Sequence, residues 1–110
     1  YYIVKNNLVN KGASFSYFEQ NSPTPSVKNG NLDYYTDSTV ITKIRNFTDG
    51  YVGQEIYISV LDSNTIFDFS SPTSKLYGNN GVNYHASIND WIKAKYISQG
   101  RWNLEIHSGQ

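Results

Sequence analysis

The chain has 110 residues, one domain's worth, and balances 9 Lys+Arg against 9 Asp+Glu for a formal net charge of +0. This balance offers no basic field for phosphates and no pull toward an anionic membrane, so neither nucleic-acid binding nor membrane insertion is expected. Cysteine is absent, which excludes a disulfide framework and a thiolate metal site.

No apolar run approaches the roughly 18 residues of a membrane span. The opening Tyr1-Tyr2-Ile3-Val4-Lys5 lacks the layout of a signal peptide. Methionine is missing even at position 1, so a fragment or a processed product is expected. Ten Tyr, five Phe and two Trp make the chain 15% aromatic against 16% charged. Much of the remainder is Asn, Ser, Thr and Gly. Such a composition favours strands joined by turns and a neutral, hydrogen-bonding surface.

The N-terminal stretch offers a strand at Tyr2 and Val4, an Asn6-Asn7 step, a short strand at Leu8-Val9, then Asn10-Lys11-Gly12. Ser22-Pro23-Thr24-Pro25-Ser26 follows. Proline cannot donate to a ladder, so this reads as a stiff extended connector. It sets a boundary between an arm at 1–25 and a domain at 26–110.

Beyond it, turn chemistry alternates with stripes of period two. Asn29-Gly30-Asn31 is a turn, and Val40, Thr42 and Ile44 form an apolar stripe. Asp49-Gly50 with Gly53 leads into Glu55 to Val60, where Ile56, Ile58 and Val60 share one face. Asp62-Ser63-Asn64 precedes the stripe Thr65, Phe67 and Phe69. Asn79-Asn80-Gly81 is the next turn. Ile88 to Ile97 alternates better with period two than with period 3.6, and puts Ile92, Ala94 and Tyr96 together. Gln99-Gly100 then turns the chain into a last stripe of Trp102, Leu104 and Ile106.

No window holds a capped helical pattern. A parallel α/β sheet would need helices between its strands, so it is set aside. Short strands with such turns predict an all-β, antiparallel, jelly-roll-like sandwich.

The chemistry-bearing residues are sparse. Glycoside hydrolysis needs two carboxyls roughly 5–10 Å apart. Asp33, Asp37, Asp49, Asp62, Asp68, Asp90 and Glu55 are available, but most sit in turn-like sequence, where Asp caps its own backbone. Asp68, between Phe67 and Phe69, is expected on an outward strand position. His85 and His107 are the two histidines, too few for a zinc site without Cys. No nucleophile motif or phosphate loop is present. Asn46-Phe47-Thr48 matches a glycosylation sequon, though Phe47 is better read as an anchor at a strand corner. No catalytic residue, metal ligand or cofactor is assigned. Trp91 and Trp102 are expected in a core or an interface. Tyr34, Tyr35, Tyr51, Tyr57 and Tyr84, with His85, are expected at outward or turn-flanking positions. There their rings would contact either a sugar or a neighbouring subunit.

From Thr24 onward the order of features resembles a known family. Asn46-Phe47, Gly50, Gly53-Gln54-Glu55-Ile56-Tyr57-Ile58, Leu76-Tyr77-Gly78 and the closing Gly100-Arg101-Trp102 are similar to the C-terminal β-sandwich of phage tailspike and neck-appendage proteins. In that family the sandwich follows a β-helix, and Tyr2, Val4, Asn7, Leu8 and Val9 resemble its last rung. The resemblance implies a homotrimer in the virion, made in the host cytoplasm and attached to an upstream β-helix domain of the same protein. It implies a structural and adhesive role that caps and trimerises the appendage and contacts host cell-surface polysaccharide. Two other readings stand beside it. One is a polysaccharide depolymerase fragment with an acid pair completed between subunits. The other is a free carbohydrate-binding module.

Overall fold

A computed structural model describes residues 15–30 and 33–109. The expected rung at Tyr2 to Val9 lies outside these residues. The described residues form nine strands in order: β1 (Phe15–Tyr17), β2 (Asp33–Tyr35), β3 (Thr42–Ile44), β4 (Glu55–Ser59), β5 (Thr65–Phe67), β6 (Leu76–Tyr77), β7 (Tyr84–His85), β8 (Trp91–Ser98) and β9 (Arg101–His107). The described residues include one 3-10 turn, Asn79–Gly81, and no α-helix.

The strands make two sheets. A six-stranded sheet runs β1-β2-β4-β8-β9-β6, and a three-stranded sheet runs β3-β5-β7. Their inner faces close on one core. Tyr34, Ile56, Ile58, Ile92, Ala94, Trp102 and Leu104 come from the large sheet, and Ile44 and Phe67 from the small one. The all-β, two-sheet expectation holds.

Strand direction needs a correction. Antiparallel pairing is found for β4 with β8, β5 with β7 and β8 with β9. The ladders β1 with β2, β2 with β4, β3 with β5 and β6 with β9 are parallel. The reason is that the chain coils. Phe15 faces Asp33 and Asp33 faces Tyr57, so β1, β2 and β4 are the same leg of successive turns. Thr42 faces Thr65 on a second leg.

A third leg is irregular but still bonded. Arg45 N–H donates to the Pro23 carbonyl (2.9 Å), Thr48 N–H to Pro25 (3.0 Å), and Val27 N–H to Thr48 (2.9 Å). The two prolines cost nothing here, because they supply carbonyls and are not asked to donate. Residues on both sides of Pro25 therefore contribute to the same sheet, β1 before it and β2 after it.

The predicted stripes locate the core with one adjustment. Ile56, Ile58 and Val60 are buried, as are Thr65, Phe67 and Phe69. Thr42 and Ile44 are buried, but Val40 is exposed, because β3 begins only at Thr42. Inside, aromatic rings run continuously. Phe18 stacks on Tyr34 (5.2 Å between centroids) and on Phe47 (5.6 Å), Phe47 meets Trp102 edge-on (5.3 Å), and Trp102 stacks on Tyr96 (5.0 Å). Trp102 also donates its indole N–H to the Phe47 carbonyl at 3.1 Å, which gives its one polar atom a partner. Gly50 lies against this ring. A Cβ there would come within 2.6 Å of Trp102 Cζ2, so the site demands a residue with no side chain.

Turns close where turn residues stand. Gln99 and Gly100 both take positive φ (52° and 78°), as a tight hairpin turn with the right twist requires. Asp62, Asp68 and Asp90 cap backbone as the turn chemistry predicts. Asp62 accepts from Asn64 N–H (2.9 Å) and from Ser38 N–H (3.0 Å). Asp68 is a correction: it is buried, not outward, because its carboxylate turns back to accept from Ser70 and Ser71 N–H at 3.0 Å each.

Candidate functional site: an aromatic outer face on the six-stranded sheet

The face of the large sheet turned away from the core is built by the same alternation that builds the core. On β1 Phe15 and Tyr17 point out; on β2 Asp33 and Tyr35; on β4 Glu55, Tyr57 and Ser59; on β8 Trp91, Lys93 and Lys95. The register then lines them up. Tyr17 faces Tyr35, Tyr35 faces Ser59, Ser59 faces Trp91 and Trp91 faces His107, one row across five strands. A second row runs Phe15, Asp33, Tyr57, Lys93 and Glu105.

The rings touch one another along these rows. Trp91 and His107 stack at 4.0 Å with planes 8° apart, and Tyr57 lies 6.1 Å from Trp91. Tyr35 is flanked by Phe15 (5.1 Å) and Tyr17 (5.3 Å, edge-on). Phe15 is 48% and Tyr17 57% exposed, while Tyr35, Tyr57, Trp91 and His107 are half-buried on the same face.

The charges on this face are matched. Lys95 Nζ is 3.9 Å from Glu55 and His107 Nε2 is 3.4 Å from Glu105. Arg101 places its guanidinium 4.4 Å from the centre of the Tyr77 ring, at the edge formed by β6. Exposed pairs of this kind add little stability, but they leave the face without a net field.

The residues singled out from sequence fall in four places. Tyr35 and Tyr57 are on this outer face. Tyr34 is corrected: it is 1% exposed and lies in the core beside Phe18, since alternate residues of a strand take opposite sides. Its hydroxyl has no hydrogen-bond partner among the described residues, and burial, aided by the nearby Tyr51 phenol, raises its pKa. Tyr51 is 60% exposed in the turn before β4, off the sheet face. Tyr84 and His85 belong to β7 of the small sheet. His85 Nε2 lies 2.8 Å from the Ser63 carbonyl oxygen.

Tyr84 serves structure. Its hydroxyl donates to Asp90 Oδ2 at 2.6 Å, while Ser87 N–H (2.9 Å) and Gly109 N–H (3.0 Å) donate to the same carboxylate. Burial, then this bond, pushes the Tyr84 phenol up to about 12. Burial alone would raise Asp90, but the three donors outweigh it and hold the carboxyl below its usual range. The clamp ties the residues after β9 to the turn before β8.

Trp102 is in the core, and Trp91 is on the outer face at the meeting of β4, β8 and β9. The outer-face residues missed from sequence are Phe15, Tyr17 and His107. Their alternation was visible, but their proximity to Tyr35 and Trp91 depends on register. The described residues contain no group of three or more His, Cys, Asp or Glu suited to a metal ion. No family model, curated protein or solved structure gives a significant match to the chain.

Proposed function

We propose that the chain is a structural and adhesive module that closes the end of a coiled parallel β-stack, in the manner of a phage tailspike or appendage. One observation carries this reading. The legs β1, β2 and β4 stack in parallel, and the antiparallel pair β8-β9 then covers the β4 edge. A parallel stack presents an unpaired ladder at each end, and such an edge recruits other chains unless it is covered. The β8-β9 hairpin supplies that cover on one side, and β1 is the side on which preceding coils would continue.

The module would act as a homotrimer on an upstream β-helix of the same protein, in a virion assembled in the host cytoplasm. Three copies on one axis raise avidity for a host polysaccharide without any single deep pocket. The charged side chains fit binding better than acid-base chemistry. Asp62, Asp68 and Asp90 are spent on backbone donors, and Glu55 and Glu105 on Lys95 and His107 of their own face.

Light scattering at micromolar concentration tests the assembly: a mass of three chains is expected, and a persistent monomer overturns it.

A further inference from the structure

We propose that the row Tyr17, Tyr35, Ser59, Trp91 and His107 is a platform for an uncharged polysaccharide of flat pyranose units, of the β-1,4-linked glucan or N-acetylhexosamine kind. The proposal rests on the adhesive reading and names its site and ligand class.

Shape comes first. Strands of a sheet lie about 4.8 Å apart, so Tyr35 and Trp91, separated by one strand, stand about 10 Å apart. The two positions follow directly from the ladders Tyr35 to Ser59 and Ser59 to Trp91. That separation is close to the length of a disaccharide. Two aromatic residues so placed can each meet alternate rings of an extended chain. Sugar units with equatorial substituents expose C–H groups on their faces, and these pack on aromatic rings.

The face is also organised before any ligand arrives. Trp91 is held against His107 at 4.0 Å, and Tyr35 is flanked by Phe15 and Tyr17. Side chains already fixed lose little freedom on binding.

The charges choose among partners. Asp33, Glu55 and Glu105 share the face with Lys93, Lys95 and Arg101, with Glu55 opposite Lys95 and Lys93 opposite Glu105. An anionic polymer would gain nothing from such a surface, because its affinity depends on a field of one sign. A second copy of this chain fits poorly too. Protein interfaces are depleted in Lys, Glu, Asp and Ser at their centre, and here these residues stand between the rings. Hydrogen-bonding side chains set among aromatic faces are what the hydroxyls of an uncharged sugar require.

The test is depletion of the 110-residue chain from solution by insoluble cellulose and by chitin, with a soluble polyanion as competitor. Wild type should bind at least one of the two polymers, and the polyanion should not displace it. Trp91→Ala and Tyr35→Ala should each weaken binding by about ten-fold or more, the scale of one lost aromatic anchor. Tyr51→Ala, off the face, should bind as wild type does. Circular dichroism melts identify any variant that fails to fold, and the second face variant then decides. Wild type that binds neither polymer, or is displaced by the polyanion, overturns the ligand class. Binding that survives both face variants overturns the site and leaves the adhesive reading standing. A drop in assembled mass caused by Trp91→Ala assigns the face to self-association and overturns the proposal. A monomeric wild type that binds through Trp91 sinks the trimer alone.

Discussion

Tyr34 and Tyr35 are neighbours in one short strand and have opposite fates. Tyr34 is buried against Phe18, while Tyr35 stands outside between Phe15 and Tyr17. The contrast extends to the whole six-stranded sheet. Its inner face has Ile56, Ile58, Ile92, Ala94, Trp102 and Leu104; its outer face has aromatic rings set among Lys, Glu, Asp and Ser. Aromatics occur on both sides, so aromatic content alone does not separate folding from contact. What stands among the rings does: aliphatic side chains on the inner face, charged and hydroxylated ones on the outer. Stability should therefore reside on one face and binding on the other.

The two tryptophans give the largest predicted difference. Trp102→Ala removes a ring that packs on Phe47 and Tyr96, and should cost about 4 kcal/mol in denaturant unfolding. Comparable losses for Trp91→Ala would break the division between faces.

Next is the clamp that ties down the residues after β9. Asp90→Asn replaces an acceptor with a donor facing N–H groups, and should cost about 2 kcal/mol. Because the folded-state carboxyl lies below its unfolded value, its stabilisation is present above about pH 3.9 and fades as pH falls through the folded value. Tyr84 has the opposite sign. Its phenol rises from 10.0 to about 12, so its contribution is present below pH 10 and is lost as pH climbs through about 12. Thermal melts of wild type and Tyr84→Phe across pH should differ in the alkaline limb, where only wild type has this phenol to lose.

Gly50→Ala pushes a methyl into the Trp102 ring and should cost roughly 1–3 kcal/mol, depending on how far the ring can shift. Smallest of all, Trp91→Ala should cost about 1 kcal/mol or less in the same unfolding experiment, since its ring contacts are on a solvent-facing side.

Much of this was readable from the chain, for a physical reason. Period two reports which side of a sheet a residue takes, so Ile56, Ile58, Phe67, Ile92 and Trp102 could be placed without knowing any partner. Turn residues such as Gln99-Gly100 and Asp62 reported local backbone. Period two is silent on strand direction, however, because parallel and antiparallel strands alternate alike. Parallel pairing was set aside for want of helices, yet coils with irregular third legs such as Pro23 to Val27 connect parallel strands without any. The Tyr34-Tyr35 pair was ambiguous because either could be inward until Tyr34 is matched to Ile58. His107 could have been matched to Trp91 by counting back from Gln99-Gly100. The irregularity between Tyr96 and Ser98 shifts that count by one.

Iodide quenching of tryptophan fluorescence tests the division of faces most directly, since one tryptophan lies on each side. Trp91 alone should be quenched in the free protein, Trp102 should be shielded, and saturating glycan should protect Trp91. Equal quenching of both indoles, or a Trp91 signal that glycan leaves unchanged, would contradict it.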